Sequence, residues 1–454
     1  MGSRCALPID AIPAPRPTRF RLALFGFGDF AFNLYWQSAM LFLLFYYTDA
    51  LGLPVGVAAT IFLAASVWDG IANFTAGLLA DRHEPRGGLG RLLALGGVPL
   101  GLGFMLAYLP PLVPGYWGMA GIFAGHILFR TAYAFLNVPY LAMSARVSAD
   151  SNDRAFVAGV RMLSGTLAAI VVALGTVPLG SGLLGVEVAA DAYFGAAMLF
   201  ALAGAAILAL VGASYREADV PDRAAPVPVL TALRAIAANR AFVTLNLAMM
   251  AVIVAVTILN KSVLYYFKYF LHDEASGQLA LASMSVVSAV SVPLWMLLRR
   301  RIGARGLWFL AAGLASAGLA AFALFDIHRA GVMQAYLMAM QAMIVGLNFV
   351  FWAMLPNTIE YGEQRTGLRV EGAVFGMAAL LQRVAIGIAT AIIGFGFDAA
   401  GYVANVEQSA ATLTAMRLTI GAVPLAFLVF SCVMMALNPL ARGAHAQIVK
   451  DLRR

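Results

Sequence analysis

The sequence predicts an all-α membrane protein of twelve transmembrane helices in two six-helix bundles, with both termini cytoplasmic, and three observations carry that reading. Composition is the first: 62% of the 454 residues are hydrophobic and 11% are charged, against roughly 25% charged in a soluble domain. A water-soluble chain has no means of hiding so much apolar surface. The second is length, because apolar runs of about 20 residues, enough to cross a bilayer, recur along the chain. The third is charge: alternate gaps between the runs are basic, and the others are nearly free of Lys and Arg.

The runs fall at 22–48, 53–80, 92–109, 116–144, 156–179 and 192–213, then at 241–270, 279–298, 307–324, 332–355, 373–397 and 412–437. An even number of spans brings both tails to one side. Of the 30 Lys and Arg residues, about 23 lie in the tails and even-numbered gaps, as cytoplasmic segments require. Arg82, Arg86, Arg91 and the run Arg299-Arg300-Arg301 are examples. The chain thus divides into a tail 1–21, a six-span bundle 22–213, a linker 214–240, a second bundle 241–437 and a tail 438–454. The linker carries Pro221, Pro226 and Pro228, then Leu230, Leu233, Ile236 and Ala237 at helical spacing. That spacing predicts a short amphipathic helix on the cytoplasmic surface. Asn137-Val-Pro139 and Leu355-Pro-Asn357 interrupt spans four and ten near their cytoplasmic ends, since proline removes a helical hydrogen bond. The halves are weakly alike: Tyr140-Leu-Ala-Met143 ends span four and Phe351-Trp-Ala-Met354 ends span ten, with Arg161 in span five and Arg383 in span eleven. Matching span numbers are expected of two parallel repeats.

A charge at mid-membrane costs roughly 2.5–3.5 kcal/mol on insertion scales, so each one is a functional candidate. Asp29, Asp69, Arg130, Arg161, Lys261 and Arg383 lie inside spans. Lys268 and Arg417 sit nearer span ends, where a long side chain reaches water. Asp69 is the strongest candidate, with Asn73 one turn on and on the same face. A carboxylate beside an amide suits a hard cation or a proton; the structural alternative is an ion pair with Arg161 or Lys261. Arg161 and Arg383 offer forked donors to sugar hydroxyls or a carboxylate, or else they pair structurally. Asp29, with Asn33 a turn later, lies nearer the cytoplasmic end, where helix packing or gating is expected. After span ten, Glu360, Glu363, Arg365 and Arg369 are expected to meet Arg82 or Arg146 when the cytoplasmic side is closed.

Gly77-Leu-Leu-Ala-Asp81-Arg82, following span two, resembles the cytoplasmic signature of the major facilitator superfamily. Other stretches resemble one branch of it. Span one reads Gly26-Phe-Gly-Asp29-Phe-Ala-Phe-Asn33 and ends in Phe45-Tyr-Tyr-Thr-Asp49; span two holds Trp68-Asp69; span four ends in Asn137-Val-Pro-Tyr140. Span seven ends in Tyr265-Tyr-Phe-Lys-Tyr269, Glu360-Tyr-Gly-Glu363 and Thr366-Gly-Leu-Arg-Val-Glu-Gly372 follow span ten, and span eleven holds Gln382-Arg383 with Gly401-Tyr402 beyond. Together these resemble the glycoside–pentoside–hexuronide:cation symporters, of which the melibiose carrier is one. The resemblance implies the major facilitator fold and an alternating-access carrier. It places Asp69 as the cation-site carboxylate, Asn33 and Asn137 where the melibiose carrier has sugar-binding aspartates, Arg161 as a sugar-site arginine, and Arg383 where a lysine is usual. Four positions depart from the melibiose carrier: Asn73 for an aspartate, Ala72 for an asparagine, Ala134 for a threonine and Leu141 for a sugar-stacking tryptophan. One carboxylate with few neutral oxygens fits a proton better than sodium.

The expected function is therefore secondary active symport of a sugar, glycoside or sugar acid with a cation, H+ favoured over Na+. Arg161, Arg383 and Lys261 bias the cavity towards an anionic substrate. A carrier of amphipathic lipid-like or drug-like molecules, or an uncoupled uniporter, is the alternative. Cation coupling is assigned to Asp69 and Asn73; substrate binding to Asn33, Asn137, Arg161, Lys261 and Arg383; gating to Asp29, Asp81, Arg82, Glu360, Glu363 and Arg365. No phosphate loop, Gly-x-Ser-x-Gly elbow or His-Glu-x-x-His occurs, so no enzyme activity, cofactor or metal is expected. The formal charge of +8 lies mostly in short loops, so no nucleic-acid partner is expected. The first ~20 residues show no signal-peptide pattern. A monomer in the bacterial inner membrane, with a small-molecule substrate, completes the expectation.

Overall fold

The computed structural model describes residues 17–82, 88–113, 115–148, 151–185, 189–216, 228–368, 370–440 and 448. Among them every regular element is helical. The elements run α1 (Arg19–Leu41), α2 (Leu43–Phe45), a π-helical turn (Tyr46–Ala50), α3 (Val55–Arg82), α4 (Gly88–Ala107), α5 (Tyr116–Arg146), α6 (Ser151–Leu184) and α7 (Ala189–Ser214). After the linker come α8 (Val229–Ala238), α9 (Arg240–Tyr269), α10 (Glu274–Leu324), α11 (Ala330–Thr366), α12 (Glu371–Ala399) and α13 (Ala410–Ala436).

Eleven helical stretches among the described residues are long and apolar enough to cross a membrane, α10 supplying two of them. Gly303, at φ 75°, breaks α10 between its two spans; only glycine enters that region without steric cost. The first span is α1 continued through the π turn, whose apolar character is diluted by Asp29, Asn33 and Gln37. The order of spans matches the sequence expectation, but two local readings are corrected. Pro139 lies inside α5 and Pro356 inside α11, and both helices run on to Arg146 and Thr366. A proline deletes one backbone hydrogen bond, and neighbouring helices support the rest. Consequently Glu360, Glu363 and Arg365 stand on the last turns of α11 and not in a loop. Gly367, at φ 68°, ends that helix with its N–H on the Glu363 carbonyl. Arg369, and the side chains of Asp81, Arg82 and Arg146, lie outside the described residues, as do 1–16 and 217–227 of the tail and linker. In α8 the buried positions are Ala232, Ala235 and Ile236, while Leu230 is exposed.

The N-terminal six spans meet the C-terminal six along α3 against α12 and α6 against α10. Small residues let the first pair approach closely: a Cβ added at Gly394 would stand 2.0 Å from the Ala59 Cβ, and one at Gly387 would stand 2.9 Å from the Ser66 Cβ. By contrast, α5 and α11 pack within their own halves among the described residues. Asp49, where α1 finishes, bonds Lys268 and Tyr402 of the other half, so the halves are drawn together at this end, here termed the far end. The opposite end, where α1 begins, is termed the near end.

Candidate functional site

Two ionic clusters lie beside α1, one half-buried and one buried. The nearer to the start of α1 centres on Asp29. Its Oδ1 accepts from Arg161 Nε at 3.2 Å and Nη2 at 3.1 Å. Asn33 Nδ2 donates to the Asp29 carbonyl at 2.9 Å and to Oδ2 at 3.3 Å. Gln37 Nε2 continues the ladder to Asn33 Oδ1 at 3.4 Å. These residues are spaced by four, so one helix face presents them in a row. Arg161 also lies 5.4 Å from the Tyr140 ring centroid. Asp29 and Arg161 therefore satisfy each other within one bundle.

The second cluster centres on Asp69, which is fully buried in the middle of α3. Asn73 Nδ2 donates to its Oδ1 at 3.0 Å and to its carbonyl at 2.7 Å. Oδ2 faces two guanidinium groups, Arg130 Nη1 from α5 at 3.6 Å and Arg383 Nε from α12 at 3.4 Å. The sequence offered Arg161 or Lys261 as the pairing partner; packing instead turns Arg161 to Asp29 and Arg130 to Asp69. Trp36 ties the two arginines to α1, with Arg383 3.8 Å and Arg130 5.1 Å from its ring centroid. Lys261 is buried on α9, donates to the Met40 carbonyl at 3.2 Å, and sits 3.8 Å from the Phe62 centroid. Phe62 also faces Arg130, at 5.5 Å. Two guanidinium groups thus share one carboxylate, and Lys261 lies on the Phe62 ring that Arg130 also faces. Asn137 is buried on the face of α5 that carries Arg130, seven residues on.

At the far end the halves are latched. Asp49, in the π turn, accepts from Lys268 Nζ at 2.8 Å, Tyr269 hydroxyl at 2.5 Å and Tyr402 hydroxyl at 2.9 Å. Thr48 donates to the same carboxylate at 2.7 Å and shares a 2.8 Å hydrogen bond with Tyr265. Asn405 Nδ2 closes the arrangement on the Asp49 carbonyl at 2.8 Å. Burial, reinforced by the Asp49 carboxylate, pushes the Tyr402 hydroxyl up, so it remains a donor. Lys268, at the end of its span, is partly exposed and is held by Asp49, Glu274 and Asn405. Arg417 pairs with Asp326.

The structure therefore brings Asp69, Asn73 and Arg383 together, and Asn33 with Asp29 and Arg161. It holds Lys261 apart from Arg161. Glu360, Glu363 and Arg365 stand at the near end, away from both clusters. Sequence reasoning noted Arg130 as an intramembrane charge but left it out of the site, and it gave no role to Trp36, His126 or Asp49. The signal for the first was present: His126 and Arg130 are four residues apart in an apolar span, so they share a face.

The sequence pattern of the family described as MFS/sugar transport protein matches residues 24–442. The chain is 26% identical over 435 residues to the glucuronide carrier protein homolog of Escherichia coli strain K12, covering 94% of each chain. It is 26% identical to the isoprimeverose transporter of Lactiplantibacillus pentosus, covering 90% of this chain and 86% of that one. Its fold matches a bacterial homologue of the human lysosomal transporter Spinster, crystallised inward-facing and unoccupied, at TM-score 0.67 and 13% identity, with 95% and 97% of the two chains covered.

Proposed function

The chain belongs to the MFS/sugar transport protein family and is a multi-pass sugar transporter of the inner membrane, and from that premise we propose that it carries an anionic sugar derivative by alternating access, in symport with a proton in preference to sodium. One observation carries this reading: Asp69 is shared by Arg130 at 3.6 Å and Arg383 at 3.4 Å, with Lys261 beside the same Phe62 ring as Arg130. A single carboxylate between two guanidinium groups leaves positive charge unmatched in the centre, and a carboxylate or sulfonate on the substrate would match it. One relative is named for a glucuronide and the other for isoprimeverose, and the charge of this centre supports the first class.

Coupling follows from competition for Arg383. While Asp69 is ionised it holds Arg383 across the two halves. A proton on Asp69 weakens that pair and frees the guanidinium, stacked on Trp36, for the substrate anion. Proton and anion then favour each other's binding, which is the thermodynamic requirement for symport. Asn73 orients the carboxylate, and Asn33, Gln37 and Asn137 supply amides for hydroxyl groups. Asp49 and its partners form the far-end gate, while Glu360, Glu363 and Arg365, with Asp81 and Arg82, are assigned to the opposite gate.

The test is uptake in proteoliposomes under an imposed pH gradient. Asp69→Asn should abolish accumulation of a hexuronide while retaining substrate exchange. Wild-type accumulation by this variant would refute the assignment. Uncoupled transport is the second reading, favoured by Asp69 being already neutralised; a wild-type protein that equilibrates substrate but never concentrates it would establish that instead.

A further inference from the structure

The surroundings of Arg130 differ from those of every other intramembrane charge. Arg130 and Asp69 are both buried, and both come from the N-terminal half, on α5 and α3. Rocking of one half against the other therefore leaves this pair intact, whereas Arg383 belongs to the opposite half and can part from Asp69. Arg130 is also immobilised. Its Nε donates to His126 Nε2 at 3.2 Å. That bond places the histidine proton on Nδ1, which faces the Tyr47 hydroxyl at 3.3 Å. The rings of Trp36, Phe62 and Phe129 surround the guanidinium at 5.1, 5.5 and 5.8 Å. Nη1 points at Asp69, and Nη2 is buried without a hydrogen-bond partner.

We propose that Arg130 is a tethered cation that occupies the place of a coupling metal ion beside Asp69, and so makes the carrier blind to sodium. A hard cation must exchange its water for several oxygen ligands. Here the approach to Oδ2 is flanked by two guanidinium groups, and a further cation would meet like charges from Arg130, Arg383 and Lys261. Among the described residues no group of three acidic, histidine or cysteine side chains is arranged to hold a metal. His126 acts through Arg130 and is a positioning residue: it fixes the guanidinium so that its charge is always present.

This inference rests on Asp69 being the coupling carboxylate. Loss of that reading shows in the accumulation assay, whereas the present one is decided by sodium binding to the purified protein. Thermal unfolding is measured in sodium chloride and choline chloride at equal ionic strength. Wild-type protein should show the same midpoint in both. Arg130→Ala and the milder Arg130→Gln should gain a saturable, sodium-dependent rise of the midpoint, which Asp69→Asn in the same background removes. His126→Ala, which loosens Arg130, should gain a smaller rise. A sodium-dependent rise in the wild-type protein overturns the proposal, and so does a folded Arg130→Gln protein whose midpoint ignores sodium.

Discussion

Arg383 carries the most consequence for a single side chain. It bridges to the opposite half through Asp69 and sits over the Trp36 ring, 3.8 Å from its centroid. A charge-assisted hydrogen bond is worth about 1.5–3 kcal/mol, so Arg383→Gln should weaken binding of an anionic substrate by about 10–150-fold, read from the substrate concentration dependence of uptake. Arg383→Lys keeps the charge but loses the fork and the stacking surface, and its loss should be smaller. Asp29 and Arg161 behave differently because they satisfy each other inside one bundle. Removing either leaves an unmatched charge, so Asp29→Ala and Arg161→Ala should each lower the unfolding midpoint. The double variant should recover part of the loss. An additive double variant would mean that the two residues act separately, with Arg161 free for substrate.

At the scale of elements, the seam between α3 and α12 and the latch around Asp49 hold the far end closed. Gly394 faces Ala59 so closely that no larger side chain fits without separating the helices. Gly394→Leu should therefore keep the far end from closing and abolish transport while the protein still inserts in the membrane. The latch can be tested chemically. A Cβ at Gly56 would stand 3.3 Å from the Asp398 carboxylate, so Gly56→Cys with Asp398→Cys should cross-link readily in a protein whose Cys5 and Cys432 are replaced. Adding Asp49→Asn removes the charge that gathers Lys268, Tyr269 and Tyr402. A loss of about 1.5–3 kcal/mol shifts a two-state carrier by roughly 10–150-fold, so cross-linking should slow markedly. An unchanged rate would mean that the seam alone holds the far end shut.

For the whole molecule, the two halves meet along α3 with α12 and α6 with α10, and among the described residues α5 and α11 pack chiefly within their own bundles. We propose, from the excess of Lys and Arg in the tails and even-numbered gaps, that the near end lies in the cytoplasm. Cys5 tests the orientation. An impermeant thiol reagent added outside intact cells should leave Cys5 unlabelled in a Cys432→Ser protein, and labelling should appear only after permeabilisation. Labelling of intact cells would reverse the topology.

Membrane residence, the count and order of the spans, and the short list of residues where charge sits in an apolar span were all legible in the sequence. Each is a property of a contiguous stretch: hydropathy and length decide whether a helix partitions into lipid, whatever its neighbours. Asp69, Asn73 and their shared face followed from spacing alone. Which cation answers Asp69 did not, because pairing depends on how helices rotate and which faces meet. Arg130, Arg161 and Lys261 read alike as lone charges in apolar runs, and only packing sends the first to Asp69, the second to Asp29 and the third to the Met40 carbonyl near the end of α1. The Asp49 latch was hidden for the same reason. Its members come from α1's π turn, the end of α9 and the loop before α13, and nothing in their separate sequences announces a meeting that exists only because two six-helix bundles close on each other.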